Sequence, residues 1–186
     1  AESGIGKSTS KIFLDNGYKV ICTYLKNNNN KNTKDIEYHS IDITKNKDWE
    51  NLALYIKKKI KNIDVLVNSA GVRLSGNLET TSMSDWSYHL NNNVTGSFLA
   101  CKYILPFLKK AKNSSIINVA SINSIRGAKN MLAYATSKSA IISFTASLAL
   151  DLTKNKIRVN AVAPGAIETP MLASFKKDLS LKEYQK

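Results

Sequence analysis

Short apolar runs alternate along the chain with longer stretches whose apolar positions recur every three or four residues. The runs "YKVICTYL" (18–25), "IEYHSI" (36–41), "IDVLVN" (63–68), "SIINVAS" (115–121) and "IRVNAVAP" (157–164) read as strands. "IDVLVN" is continuously apolar apart from Asp64 and its closing Asn68, the pattern of a strand buried on both faces. Between the runs, Gly4 to Asn16 predicts a helix that Gly17 ends. Asp48 to Ile60 carries Trp49, Leu52, Ala53, Ile56 and Ile60 at helical spacing, with lysines opposite. Asp85 to Lys110 predicts one long helix with Pro106 near its end, and Met131 to Lys154 another. The polar stretch "KNNNNKNTK" (26–34) predicts a surface loop. Strand–helix alternation of this kind predicts an α/β fold, a parallel sheet with helices on both faces. No internal repeat interrupts it, so residues 1–186 are expected to form a single domain.

Composition narrows the picture. The 186 residues, 43% of them hydrophobic, suffice for one sizeable core. No apolar run approaches the ~18 residues of a transmembrane helix, and the start has no secretory pattern, so a cytoplasmic protein without membrane association is expected. Cys22 and Cys101 lie within apolar stretches, as buried thiols of a reducing compartment do. The formal charge of +13 raises nucleic acid as a partner. All but three of the 27 basic residues are lysine, however, scattered apart from clusters at Lys57–Lys59 and Lys109–Lys112. Phosphate-reading surfaces favour arginine, so no nucleic-acid role is expected.

The opening "AESGIGKS" carries the first candidate chemistry. Gly6-Lys7-Ser8 fits the end of a triphosphate-binding loop, G-x-x-x-x-G-K-[ST], yet Ala1 stands where its first glycine belongs. Such a site also needs a carboxylate at a strand end to hold Mg²⁺. The apolar strands end instead in Asn68, Ser121 and Pro164. The competing reading is a dinucleotide loop, whose glycines let backbone N–H groups approach a pyrophosphate at a helix start. Gly4 and Gly6 then serve as its later glycines.

Downstream residues decide between the two. "SGIGKSTSKIFLDNGYKVICTY", "NSAG" at Asn68–Gly71, "INVAS" ending at Ser121, "YATSK" at Tyr134–Lys138 and "RVNAVAPGAIETPM" at Arg158–Met171 follow one another in order. A Tyr-x-x-x-Lys pair alone is weak, since roughly one match arises by chance in a chain this rich in lysine, and Tyr55 with Lys59 is another. Tyr134 differs because Ser121 precedes it by thirteen residues at the end of a strand, where Tyr55 has Asp42. The ordered set resembles the short-chain dehydrogenase/reductase family over nearly the whole chain. The resemblance is to its classical branch, which includes 3-oxoacyl-carrier-protein reductases.

The resemblance implies a doubly wound Rossmann-type sheet and an NAD(P)-dependent oxidoreductase. Such an enzyme transfers hydride between a nicotinamide cofactor and a carbonyl or secondary alcohol. It makes Tyr134 the acid/base, a residue whose free pKa of about 10 a nearby ammonium lowers. Lys138 is then its modulator and a ribose ligand, Ser121 binds the carbonyl oxygen, and Asn93 holds a water in the proton relay. Cofactor contacts are implied for Ser3, Gly4, Ile5 and Gly6 at the pyrophosphate, Asp42 and Ile43 at the adenine, and Asn68, Ala70 and Gly71 at the adenosine ribose. Pro164, Gly165, Ile167 and Thr169 are implied at the nicotinamide. The region after the second strand, "CTYLKNNNN", has no acid for ribose hydroxyls, and Lys26 is placed to meet a 2′-phosphate. NADP is therefore expected, with NAD possible. His39 and His89 fall outside these motifs and read as structural or exposed, and no metal-ligand constellation stands out. A homotetramer built on the two long apolar helices is implied. Against the family pattern the chain reads as lacking the first strand and the C-terminal end. A non-catalytic dinucleotide-binding sensor is the alternative, and the intact Ser121, Tyr134 and Lys138 argue against it.

Overall fold

A computed structural model describes residues 3–25 and 32–173. These fall into two compact units, one drawn from the described residues up to 40 together with 166–173, the other from 41–165. Among the described residues every strand pairing is parallel, as the alternation predicts.

In the first unit, α1 (Gly4–Asp15) is followed by β1 (Val20–Tyr24) and β2 (Ile36–Ser40), paired from Val20↔Ile36 to Tyr24↔Ser40. Gly17 ends α1 as expected, at φ +80. Its N–H donates to Leu14 O (2.9 Å) and that of Tyr18 to Phe13 O (3.0 Å). The Phe13 and Tyr18 rings meet edge-on at 5.1 Å, the apolar contact that accompanies such a left-handed cap.

The second unit holds a three-stranded sheet in the order β3–β4–β5, with β3 Val65–Asn68, β4 Ser115–Val119 and β5 Arg158–Val162. Helix α2 (Asn46–Lys59) buries Trp49, Leu52 and Ile56, the face its spacing predicts, and packs on α4 (Gly96–Leu108). Helix α4 packs on β3 and β4, and α5 (Leu132–Asp151) on β4 and β5. Central β4 is the best buried strand, with Ile116 fully enclosed. The expectation that "IDVLVN" is buried on both faces is corrected: Val65 to Asn68 are all half-buried. Among the described residues β3 is hydrogen-bonded to β4 alone, so its side chains meet a neighbouring strand on one side.

The single helix expected from Asp85 to Lys110 is three successive pieces: α3 (Met83–His89), a π-helical turn (Leu90–Thr95) and α4. The widened turn coincides with the asparagine run. There Asn92 Nδ2 donates to Tyr88 O (2.9 Å) and Ser97 Oγ to Asn93 O (2.9 Å), so side chains take carbonyls that a regular helix pairs with N–H groups. Pro106 sits inside α4. The last predicted helix ends earlier than expected. A 3₁₀ turn at Thr153–Asn155 follows α5, and Lys156 at φ 56 turns the chain. Among the described residues no helix is long and apolar enough to cross a membrane.

Candidate active site

Strand β4 delivers Ser121 two residues past its end. Backbone bonds from Ala120 N to Val162 O (2.8 Å) and from Ile122 N to Pro164 O (2.9 Å) tie this end to the end of β5. Ser121 is buried, and its Oγ accepts the Asn123 N–H (3.2 Å), capping a 3₁₀ turn over Ile122–Ser124. The same turn is tied to α5 by Ser139 Oγ, which donates to Ser124 O (3.0 Å).

Tyr134 lies in the first turn of α5 and Lys138 one turn later, so both face the same way. Each is buried, at 8% and 5% exposure. Lys138 Nζ donates to Val119 O at 2.7 Å. Burial brings its pKa down from 10.5 to about 8, because desolvation penalises the ammonium. Asn93 comes from the π turn and is 1% exposed. Its Oδ1 accepts the Val72 N–H (2.7 Å), while its Nδ2 donates to Val72 O (3.0 Å) and to Ser137 Oγ (2.8 Å). Ser137 Oγ in turn donates to Tyr134 O (2.7 Å). Asn93 thus clamps the strand-like segment after β3 and couples it to the α5 turn bearing Tyr134. Ser137, fully buried at the hub, was not among the expected residues; its place directly before Lys138 was the available signal.

Gly71 passes between these groups. A Cβ there would lie 3.0 Å from Asn93 Oδ1 and 3.3 Å from Lys138 Nζ, so the glycine of "NSAG" permits a close backbone approach. Asn93, Gly71 and Lys138 are therefore brought together directly, with Tyr134 joined through Ser137.

Other expected residues are placed differently. Asn68 turns its side chain inward, Nδ2 donating to Asn118 Oδ1 (2.8 Å) and to Cys101 Sγ (3.4 Å). Asn118 Nδ2 continues this buried ladder to Thr145 Oγ1 (2.8 Å). Ala70 is exposed. Asp42 Oδ1 accepts from Thr44 Oγ1 (2.7 Å) and Thr44 N (2.9 Å), and the Thr44 hydroxyl holds the carboxyl below its usual range. Ile43 packs its Cδ1 where a Cβ on Gly96 would be (2.9 Å). Pro164 is half-buried and Gly165 exposed. Tyr55 lies on α2, with its partner in spacing, Lys59, exposed at the end of that helix.

In the first unit, Ser3 is the extended N-cap of α1, without a side-chain cap bond. Gly4, at φ +53, sits with the Thr169 methyl 3.1 Å from where its Cβ would be. The amides of Gly4, Ile5 and Gly6 fall in the opening turn, where a helix has no internal acceptor for them. Ile167 is exposed, its carbonyl accepting Thr169 Oγ1 (3.2 Å). Lys26 lies outside the described residues. In the first unit the free amides at the helix start suit a phosphate; in the second, a lysine amine beside a glycine suits a ribose.

The family model for short chain dehydrogenases matches residues 1–180. Among curated relatives, Dehydrogenase/reductase SDR family member 6 of Aquarana catesbeiana is 38% identical over 173 residues, covering 91% of this chain and 69% of the relative. The 3-oxoacyl-[acyl-carrier-protein] reductase FabG of Thermotoga maritima is 35% identical over 179 residues, covering 92% and 73%. Among solved structures, ligand-free aldohexose dehydrogenase (AldT) of Thermoplasma acidophilum superposes with a TM-score of 0.88 at 31% identity, over all of this chain and 72% of that one. ElxO with NADP bound superposes at 0.84 with 30% identity, over 96% and 77%. The expected Rossmann-type fold is the fold of these neighbours.

Proposed function

The chain belongs to the short-chain dehydrogenase family of oxidoreductases, and we propose that the protein transfers hydride between NADP(H) and a carbonyl or secondary alcohol, with Tyr134 as acid/base. One observation carries the proposal: Lys138 is buried beside Gly71 and Asn93, one helical turn from Tyr134. A buried amine at that place stabilises a phenolate and offers donors to a ribose. Bound NADPH supplies the hydride. Tyr134 gives the proton to the forming alkoxide, Ser121 donates to the same oxygen, and Asn93 keeps segment 71–72 against Lys138. NADP, bound in the ElxO neighbour, is favoured over NAD because β1 ends at Tyr24 and Leu25 follows, with no carboxylate in either place. Residues 1–186 are taken as one dinucleotide-binding domain, supported by a family match that runs unbroken to 180. Two buried thiols fit a reducing cytoplasm. Exposed apolar side chains on the long helices, Phe98 on α4 and Leu150 on α5, support a homotetramer, which light scattering tests.

The deciding experiment is a carbonyl screen that follows NADPH and NADH absorbance, repeated with Tyr134→Phe and Tyr55→Phe. Tyr134→Phe is expected to lose a factor of about 10² in turnover with NADPH affinity kept, and Tyr55→Phe to be silent. Normal turnover by Tyr134→Phe refutes the assignment of the acid. NADPH binding without turnover of any carbonyl makes the protein a dinucleotide sensor.

A further inference from the structure

His89, outside every motif that marks the site, is 1% exposed and has a partner at each ring nitrogen. Nδ1 lies 2.7 Å from Asp85 O, which can only accept, so Nδ1 carries the proton. The Leu74 N–H, which can only donate, reaches Nε2 at 2.9 Å, so Nε2 is bare. The ring is thereby fixed as one neutral tautomer. It meets two rings edge to face: that of Tyr134, with centroids 6.4 Å apart and planes at 70°, and that of its neighbour Tyr88, at 6.3 Å and 75°.

The segment that His89 holds is tied at every second residue. Val72 is clamped by Asn93 through both its N–H and its C=O. Leu74 donates to His89. Gly76 donates to Asn130 O (2.8 Å) and accepts from Leu132 N (3.0 Å), at the start of α5. The outer ties come from the π turn and from the α5 entry. The middle one depends on a single side-chain atom.

We propose that His89 is a positioning residue for the oxidoreductase chemistry: it fixes segment 72–76 and braces the Tyr134 ring, so that substrate and acid meet in register. The inference rests on the proposed reaction. Losing the strut would free a segment that runs from the Asn93 clamp to the α5 entry just before Tyr134. Misplacement of reacting groups by about 1 Å costs on the order of 10²-fold.

Three variants separate the parts. In His89→Gln the terminal amide occupies the place of Nε2 and supplies an oxygen to the Leu74 N–H. In His89→Asn the shorter amide can reach Asp85 O but leaves Leu74 without an acceptor. His89→Phe keeps the ring against Tyr134 and loses both bonds. Amide hydrogen exchange at Leu74 is measured together with thermal stability, NADPH affinity, and kcat and KM for ethyl acetoacetate as the probe carbonyl.

His89→Gln is expected to keep exchange at Leu74 slow and kcat within about threefold of wild type. The Asn and Phe variants are expected to exchange at least about tenfold faster there, the scale of losing one buried acceptor. Their kcat should fall by about tenfold or more at unchanged NADPH affinity. Slow exchange at Leu74 in His89→Phe overturns the strut. Equal loss of kcat in all three variants, in step with thermal stability, reduces His89 to a core residue and overturns the positioning role. Absence of turnover of every carbonyl in the screen, ethyl acetoacetate included, by the wild type with NADPH bound overturns the proposed reaction and with it the positioning role. Exchange at Leu74 then still decides whether the strut exists.

Discussion

Lys138 sets a measurable cost inside the fold. Its amine is buried, donates to Val119 O, and has its pKa lowered by desolvation from 10.5 to about 8. Below pH 8 the amine is protonated in both folded and unfolded chains, and the folded chain carries the full penalty of a buried ammonium. Between pH 8 and 10.5 the unfolded chain holds the proton and the folded chain sheds it, so stability rises with pH. The shift of about two and a half pH units, at about 1.4 kcal/mol each, amounts to about 3 kcal/mol. Lys138→Met keeps most of the side-chain volume and removes the titration. Urea denaturation of both proteins from pH 7 to 10.5, at fixed ionic strength, gives the stability difference at each pH. Other titrating groups occur in both proteins and cancel in that difference. The wild type is expected to gain about 3 kcal/mol on the variant across this window, nearly all of it above pH 8. A difference constant to within about 0.5 kcal/mol refutes the buried ammonium, and with it the support that its charge lends to the Tyr134 assignment.

Cys101 supplies an opposite slope: burial raises its thiol from 9.0 to about 11, so its contribution to stability is full below pH 9 and is lost as pH rises through 11. Cys101→Ala is expected to flatten the alkaline fall in stability seen by urea denaturation, even if the smaller side chain lowers stability at pH 7. Gly71→Ala is expected to cost about 1–3 kcal/mol, because its Cβ meets Asn93 Oδ1 and Lys138 Nζ, both held by other bonds. Its turnover with NADPH should fall more than its thermal stability, and unchanged turnover would remove Gly71 from the site. Asn93→Asp keeps the acceptor for Val72 N–H but faces Val72 O with a carboxylate oxygen, so amide exchange across 71–74 should accelerate.

Much of the fold was legible because its elements are amphipathic or apolar in the simple periods. Trp49, Leu52 and Ile56 fall on the buried face of α2 as their spacing requires. The π turn at Leu90–Thr95 was not legible, because helical periodicity constrains which side chains face inward and says little about which carbonyl each N–H chooses. The half-burial of β3 was missed for a related reason: an apolar run marks a strand but not how many neighbours it has.

The site divides along the same line. Tyr134 and Lys138 announce themselves by spacing on one helix, and Ser121 by its place at a strand end. Asn68 carries a second role that its place at a strand end does not announce, since its side chain continues inward to Asn118 and Thr145. His89 is the reverse, a residue with no motif around it. Its value comes from a contact fifteen residues back in sequence, at Leu74, and another across the fold, at Tyr134. Residues proposed to act directly carry local spacing rules, because a pair meant to react together must share a helix face or a strand end. Residues that hold them in place answer mainly to tertiary geometry, for which Ser137's place before Lys138 is a faint signal and His89 has none. Ser137 is joined to the site by its bonds to Asn93 and Tyr134 O, and His89 by its bond from Leu74 and its ring contact with Tyr134.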